Sequence, residues 1–121
     1  MGTFLSPNSA EEIAEAKDRL TAEFGDKKVP IIVDLSHAHA KWEGGGQEGQ
    51  LAVSEGLGDA MLNGVHIDGI MAETYMLSGN QPGGGREPGL STTDACMDQA
   101  SAEQLIRDTA SMQANRALRV A

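Results

Sequence analysis

The chain has 121 residues, a net charge of -9 and a pI near 4.6. That balance excludes nucleic acid and anionic membrane surfaces as main partners, and no apolar run approaches the roughly 18 residues of a membrane span. The length suits one domain with a modest core, and with aromatic residues at only 3% that core has few large anchors.

Cys96 is the only cysteine. An intrachain disulfide is therefore excluded, and with no charged-then-apolar leader at the start a reducing cytoplasm is the expected location.

Residues 1–7 carry no clear pattern. Asn8-Ser9-Ala10-Glu11-Glu12 reads as a helix start, with Ser9 and Glu12 at the spacing that lets each side chain satisfy a backbone N–H of the other's residue. Ile13, Ala16, Leu20 and Phe24 follow at helical spacing and predict one apolar stripe, and Gly25 is a natural stop. Asp26-Lys27-Lys28 reads as a solvated turn. Pro30 then opens the run Ile31-Ile32-Val33-Asp34-Leu35-Ser36-His37-Ala38-His39, which begins β-branched and ends polar. It predicts a buried parallel strand, apolar on both faces, with His37 at the C-terminal tip where α/β folds carry their chemistry. Taken alone, a structural histidine at a strand end is the commoner case.

Lys41-Trp42-Glu43 and the triple glycine 44–46 predict a flexible loop. A second helix is predicted over 47–62 with Leu51, Leu57 and Met61 inward. Gly49, Gly56 and Gly58 each weaken it by about 1 kcal/mol relative to alanine. Gly69-Ile70-Met71-Ala72 predicts a second strand, tipped by Glu73-Thr74-Tyr75. Residues 77–90 are too rich in glycine, proline and polar side chains for a helix or central strand, and a loop of this length is usually a functional lid or disordered. Ser91-Thr92-Thr93 predicts a short third strand ending at Asp94. A last helix is predicted over 101–118, with Ser101 and Gln104 again at capping spacing and Leu105, Ile106, Ala110 and Met112 broadly on one side.

This alternation predicts βαβ units and a parallel sheet with right-handed crossovers. Each predicted strand ends in a metal-competent or acid–base residue: His37, Glu73 and Asp94. Strand tips of a parallel sheet share one edge, so the three side chains can converge. One imidazole and two carboxylates suit divalent Mn, Fe, Co or Zn. Three unrelated polar residues at loop starts is the alternative that spacing leaves open, because no compact metal motif joins them.

Three segments resemble a known family. Val33-Asp34-Leu35-Ser36-His37-Ala38-His39 resembles the aspartate–X–serine–histidine–X–asparagine segment of the type I 3-deoxy-D-arabino-heptulosonate-7-phosphate (DAHP) synthases. Gly69-Ile70-Met71-Ala72-Glu73, followed by Gly79-Asn80-Gln81, resembles that family's glycine–X–methionine–X–glutamate strand and glycine–asparagine–glutamine turn. Gly89-Leu90-Ser91-Thr92-Thr93-Asp94-Ala95-Cys96 resembles its glycine–X–serine–X–threonine–aspartate–alanine–cysteine segment. The three occur in the family's order and cover residues 8–118, so together they are far more specific than any one.

The resemblance implies an α/β fold that is the C-terminal portion of a (β/α)8 TIM barrel, about three parallel strands with three helices, over one domain, 1–121. It implies condensation of phosphoenolpyruvate with erythrose 4-phosphate, the first step of the shikimate pathway. It implies His37, Glu73 and Asp94 as ligands of a divalent metal (Mn, Fe or Co), His37 as the catalytic residue, and Asp94 close to the erythrose 4-phosphate hydroxyls. Cys96 does not correspond to the family's ligand cysteine and reads as a small buried residue. A whole barrel needs about 250 residues, and the resemblance begins at the fifth helix. The family's fourth metal ligand and its phosphate-gripping arginines and lysines match nothing here: Arg86, Arg107, Arg116 and Arg119 fit no such motif. His39 stands at the family's asparagine, Ala40 at a common serine, Thr74-Tyr75 at a serine–histidine pair and Leu90 at the usual lysine. The expected partners are therefore a complementary barrel segment or further copies of the chain. The competing expectation is a non-catalytic metal-binding or regulatory remnant of such a barrel.

Overall fold

The computed structural model describes residues 9–25, 29–37 and 46–120, with only the backbone for 116–120. The expected lead-in at 1–7, the turn at 26–28, His39, Ala40 and most of the glycine loop lie outside the described residues. Helix α1 spans Ala10–Phe24, strand β1 Ile32–Asp34, helix α2 Gly46–Leu62, strand β2 Gly69–Met71 and helix α3 Gln99–Val120.

Helix α1 starts where a serine can cap it. Ser9 is extended, and its Oγ accepts a hydrogen bond from the Glu12 N–H at 3.2 Å. A cap of this kind stabilises a helix by about 1 kcal/mol. Gly25 ends the helix at φ 61°, donating its N–H to the Thr21 carbonyl. This left-handed backbone favours glycine because it has no Cβ. Of the predicted stripe, only Ile13 is buried. Leu20 is half-buried, and Ala16 and Phe24 are exposed, because the core reaches only the first turns of α1.

Strands β1 and β2 pair in parallel, with Ile32 opposite Gly69, Val33 opposite Ile70 and Asp34 opposite Met71. The connecting helix α2 packs against both α1 and α3. Parallel strands require such a crossover, since a tight turn cannot return the chain in the same direction. Asp68 fastens the entry to the pair, its Oδ2 accepting from the Ile31 N–H at 2.8 Å.

The core lies between one face of the sheet and the helices. Val33 and Leu35 share it with Leu57 and Met61 of α2, Leu105 of α3 and Met97, which lies just before α3. Leu35, Leu57 and Met97 are fully buried, and complete burial stabilises each such side chain by about 1.5–3 kcal/mol. Strand β1 was expected to be apolar and buried on both faces, yet Ile32 is 68% exposed. Side chains alternate along a strand, so Val33 enters the core while Ile32 points to the face that no described element covers.

Three further expectations change. Leu51 lies outside the α2 core stripe, which runs through Gln50, Val53, Ser54, Leu57 and Met61. The third strand at 91–93 is absent from the sheet, which has two strands among the described residues. In its place Ser91 makes an isolated bridge to Asn80, Met97 one to Thr74 and Cys96 one to Gly79, and the Thr93 N–H bonds back to Ser91 Oγ, so no extended run forms. Helix α3 begins at Gln99, two residues before the predicted start, since Asp98 rather than Ser101 caps it: Asp98 Oδ1 accepts from the Ser101 N–H at 2.8 Å. Leu105 is buried and Met112 packs against the core, but Ile106 is 66% exposed and Ala110 faces solvent.

Candidate metal centre

His37, Glu73 and Asp94 come together at the C-terminal edge of the strand pair. Each offers one ligand atom, and these atoms lie within 4.8 Å of one another. Their partnered atoms are His37 Nε2, 3.3 Å from Glu73 Oε1 and 3.7 Å from Asp94 Oδ2.

His37 is held from behind. Its Nδ1 lies 2.8 Å from Asp34 Oδ2. A carboxylate only accepts, so Nδ1 carries the proton and donates it, which leaves Nε2 turned to the two carboxylates. Asp34 also accepts through Oδ1 from the backbone N–H groups of Ser36 at 2.8 Å and His37 at 3.2 Å. The aspartate thus shapes the turn that ends β1 and sets the ring in the same place. Burial alone raises the Asp34 carboxyl, but the Ser36 and His37 N–H groups and the imidazole outweigh it and hold it below the usual carboxylate range. The hydrogen bond to Asp34 raises the His37 pKa, helped by the charges of Asp34, Glu73 and Asp94 and opposed by desolvation.

Glu73 is held at both ends. Buried Ser36 donates its Oγ–H to Glu73 Oε2 at 2.7 Å. Gln50, fully buried on α2, accepts from the Glu73 backbone N–H at 2.8 Å and donates to its carbonyl at 2.9 Å.

Asp94 arrives differently, on a segment organised by the glycine-rich loop. That loop contains no helix or strand, as expected, but it is tied down rather than loose. Gln81 Nε2 donates to the carbonyls of Glu87 and Leu90, and its Oε1 accepts from the Glu87 N–H. Asn80 Nδ2 donates to the Thr93 carbonyl at 2.8 Å, and the Gly79 and Cys96 backbones exchange two hydrogen bonds. These contacts fix the main chain around Asp94. Its carboxylate meets only His37 among the described residues. Cys96 is buried, its thiol pushed up by desolvation.

This donor set fits a divalent cation. The atoms facing one another are one imidazole nitrogen and two carboxylate oxygens, and the other polar atoms of His37 and Glu73 are engaged away from the centre. The three residues singled out in the sequence are brought together, and the polar groups that support them carry weaker signals. Aspartate three residues before His37 is a turn-forming signal. Gln50, at helical spacing from Val53, Leu57 and Met61, is a polar residue on an apolar stripe, which marks a buried group in need of partners.

Fold and centre together define an α/β chain with a parallel strand pair bearing a histidine–carboxylate group at its edge. No protein-family model matches the sequence, and no curated protein does. Among solved structures, the chain is similar to phospho-2-dehydro-3-deoxyheptonate aldolase from Francisella tularensis SCHU S4, a DAHP synthase. The TM-score is 0.69 at 21% identity, over 91% of this chain and 30% of that one. This is a likeness of fold, consistent with a piece of such a barrel, and the chain spans about a third of that structure's length. No helix among the described residues is long and apolar enough to cross a membrane.

Proposed function

We propose that this chain is the metal-holding part of a DAHP synthase-type barrel, 1–121 forming one domain. Its chemistry is the condensation of phosphoenolpyruvate with erythrose 4-phosphate, realised only when a complementary segment supplies the rest of the site. The observation that carries this reading is the meeting of His37, Glu73 and Asp94 within 4.8 Å on a fold similar to a DAHP synthase structure.

His37 Nε2, Glu73 and Asp94 would hold a divalent ion such as Mn, Fe or Co. Such an ion, when bound, acts as a Lewis acid on the aldehyde oxygen of erythrose 4-phosphate. The chain's own residues do the positioning. Asp34 keeps the Nδ1 proton in place, Ser36 keeps Glu73 Oε2 turned away from the centre, and the Asn80–Thr93 contact holds the main chain beside Asp94, which would also lie close to the erythrose 4-phosphate hydroxyls. Two phosphorylated substrates must be held in reacting geometry, and positioning supplies about 7–11 kcal/mol of barrier reduction. The family's phosphate-gripping motifs have no match in the sequence, and Arg19 and Arg107 lie on exposed helix surfaces beside Glu15 and Glu103. We therefore expect the chain alone to be inactive.

The strand edge supports a partner. The edge of β1 away from β2 is unpaired among the described residues. Beside it lies a hollow of about 320 Å³ lined by Ile13, Ala16, Ile31, Ile32 and Val33 with Glu12 and Asp34. An apolar strand edge invites pairing, either with a complementary barrel segment or with another copy. A cytoplasmic setting fits this reading.

The second reading, a non-catalytic metal-binding or regulatory remnant, is favoured by the lack of any match in the sequence to the family's phosphate-gripping motifs. One assay separates the two: loss of phosphoenolpyruvate with erythrose 4-phosphate and Mn, with and without the first half of a related barrel in trans. Turnover only in the mixture supports the enzyme. Metal binding without turnover in the mixture supports the remnant, and turnover by the chain alone overturns the partner requirement.

A further inference from the structure

We propose that Gln50 is a positioning residue for the metal-holding carboxylate Glu73, acting through the Glu73 backbone; this rests on the metal reading above. Gln50 has no exposed surface, although it sits on α2 among Val53, Leu57 and Met61. A primary amide in such a place costs several kcal/mol unless its donor and acceptor are both used. Here both are used on a single residue: Gln50 Oε1 accepts from the Glu73 N–H at 2.8 Å and Gln50 Nε2 donates to the Glu73 carbonyl at 2.9 Å.

The location of this clamp gives it a consequence beyond packing. Strand β2 ends at Met71, and Glu73 lies two residues past the last ladder pair. The next backbone tie is the Met97 N–H, which also donates to the Glu73 carbonyl at 3.0 Å. Without Gln50 the Glu73 N–H has no ladder partner, and its peptide is held only from the carbonyl side, by the Met97 N–H. A peptide rotated there swings the whole carboxylate away from His37 Nε2. Ser36 restrains only the far oxygen, Oε2. Gln50 therefore fixes the base of the arm and Ser36 its tip. Because Gln50 belongs to α2, the packing of that helix against α1 and α3 sets the distance between two ligands that come from different strands.

The amide is specifically required. Glutamate at position 50 keeps the acceptor but, when ionised, cannot donate to the Glu73 carbonyl. Methionine keeps the volume and neither bond.

The test uses the full chain, with Co and Zn as probes. Gln50→Glu and Gln50→Met are compared with Val53→Ala, a cavity variant on the same helix face whose apolar side chain makes no hydrogen bond to Glu73. Thermal unfolding without metal measures the structural cost, and Co titration with its visible absorption measures affinity and coordination. The expected result is a loss of affinity of about 10–100-fold and an altered Co spectrum in both Gln50 variants. Val53→Ala should keep the wild-type spectrum despite comparable destabilisation. Wild-type affinity in folded Gln50 variants, or an equal loss in Val53→Ala, overturns the assignment. A readout on the wild-type chain needs no variant to fold: Zn addition should shift the Gln50 Nε2 proton resonances together with the Glu73 amide, and resonances that stay in place overturn it. Absence of any Co or Zn binding by the wild-type chain removes the metal reading itself. Binding without sensitivity to position 50 removes only the role of Gln50.

Discussion

The two strand-borne arms of the candidate centre and its loop-borne arm are fixed by different means. His37 and Glu73 are gripped at the side chain, by Asp34 and Ser36, and Glu73 also at its backbone by Gln50. Asp94 is gripped only at the main chain around it, through Asn80, Ser91 and Cys96. Its side chain is 63% exposed, against 55% for His37 and 24% for Glu73. The difference teaches where preorganisation comes from. A strand end beside a packed helix can recruit buried polar side chains to orient a ligand. A loop can place a ligand but leaves its rotamers free, so the ordering cost falls due on binding.

The largest effect should come from removing a gripped ligand. His37→Ala or Glu73→Ala should abolish measurable Mn or Co binding in a titration of the full chain, since each discards a donor already held in place. Wild-type binding in either variant would take that residue out of the centre and end the comparison.

Asp94→Ala should cost less. Freezing a free carboxylate arm consumes about 0.5–1.5 kcal/mol of what it gains, which is up to about tenfold in affinity. The loss should therefore be about tenfold smaller than for Glu73→Ala. Calorimetric titration of both variants decides it, and an equal loss would mean that the loop arm is as well ordered as the strand arms.

A support rather than a ligand comes next. Asp34→Ala frees the His37 ring and unmakes the turn that carries it, so affinity should fall by about 10–100-fold, as is typical when a partner behind a metal-binding histidine is lost. Co absorption reports whether the donor set changes as well. An unchanged affinity would show that the ring needs no grip and that the two kinds of arm do not differ in practice.

How much of this was readable in advance follows the same division. Both sheet strands lie where their short apolar runs predict, because β-branched Ile31-Ile32-Val33 and Gly69-Ile70-Met71 have few competing local bonds. His37, Glu73 and Asp94 were recognisable because each ends or follows an apolar or β-prone segment, and because the motifs around them resemble a known family. The errors fall where polar side chains bond to nearby backbone. Ser91 and Thr93 form a local turn instead of a strand, and Asp98 captures the start of α3 from Ser101. Ile32 and Leu51 were placed inward because apolar character reports suitability for burial, and only the tertiary arrangement says which face is covered. Gln50 is hard to read in advance, because a lone glutamine on a helix looks solvated until its neighbours at three and four residues are counted.

The smallest effect separates carboxylates that hold the fold from those that hold the centre. Asp98 and Asp68 accept backbone hydrogen bonds, from Ser101 and Ile31, and these chiefly hold both carboxyls below the usual range. A group whose pKa is lower in the folded state binds more protons when unfolded, so stability rises with pH across that interval. The contribution is complete above the ordinary aspartate pKa and is lost as pH falls through the folded value. Asn at position 98 can still cap α3, because its amide oxygen accepts from the same N–H, but it does not titrate. Asp98→Asn should therefore leave stability near neutral pH almost unchanged while flattening its decline in acid, and it should leave metal affinity at pH 7 untouched. Urea unfolding of both chains at a series of pH values checks the first part, and Co titration the second. If the acid slope persists in Asp98→Asn, the loss of stability in acid lies elsewhere, with Asp68 and Asp34 the next carboxylates to replace.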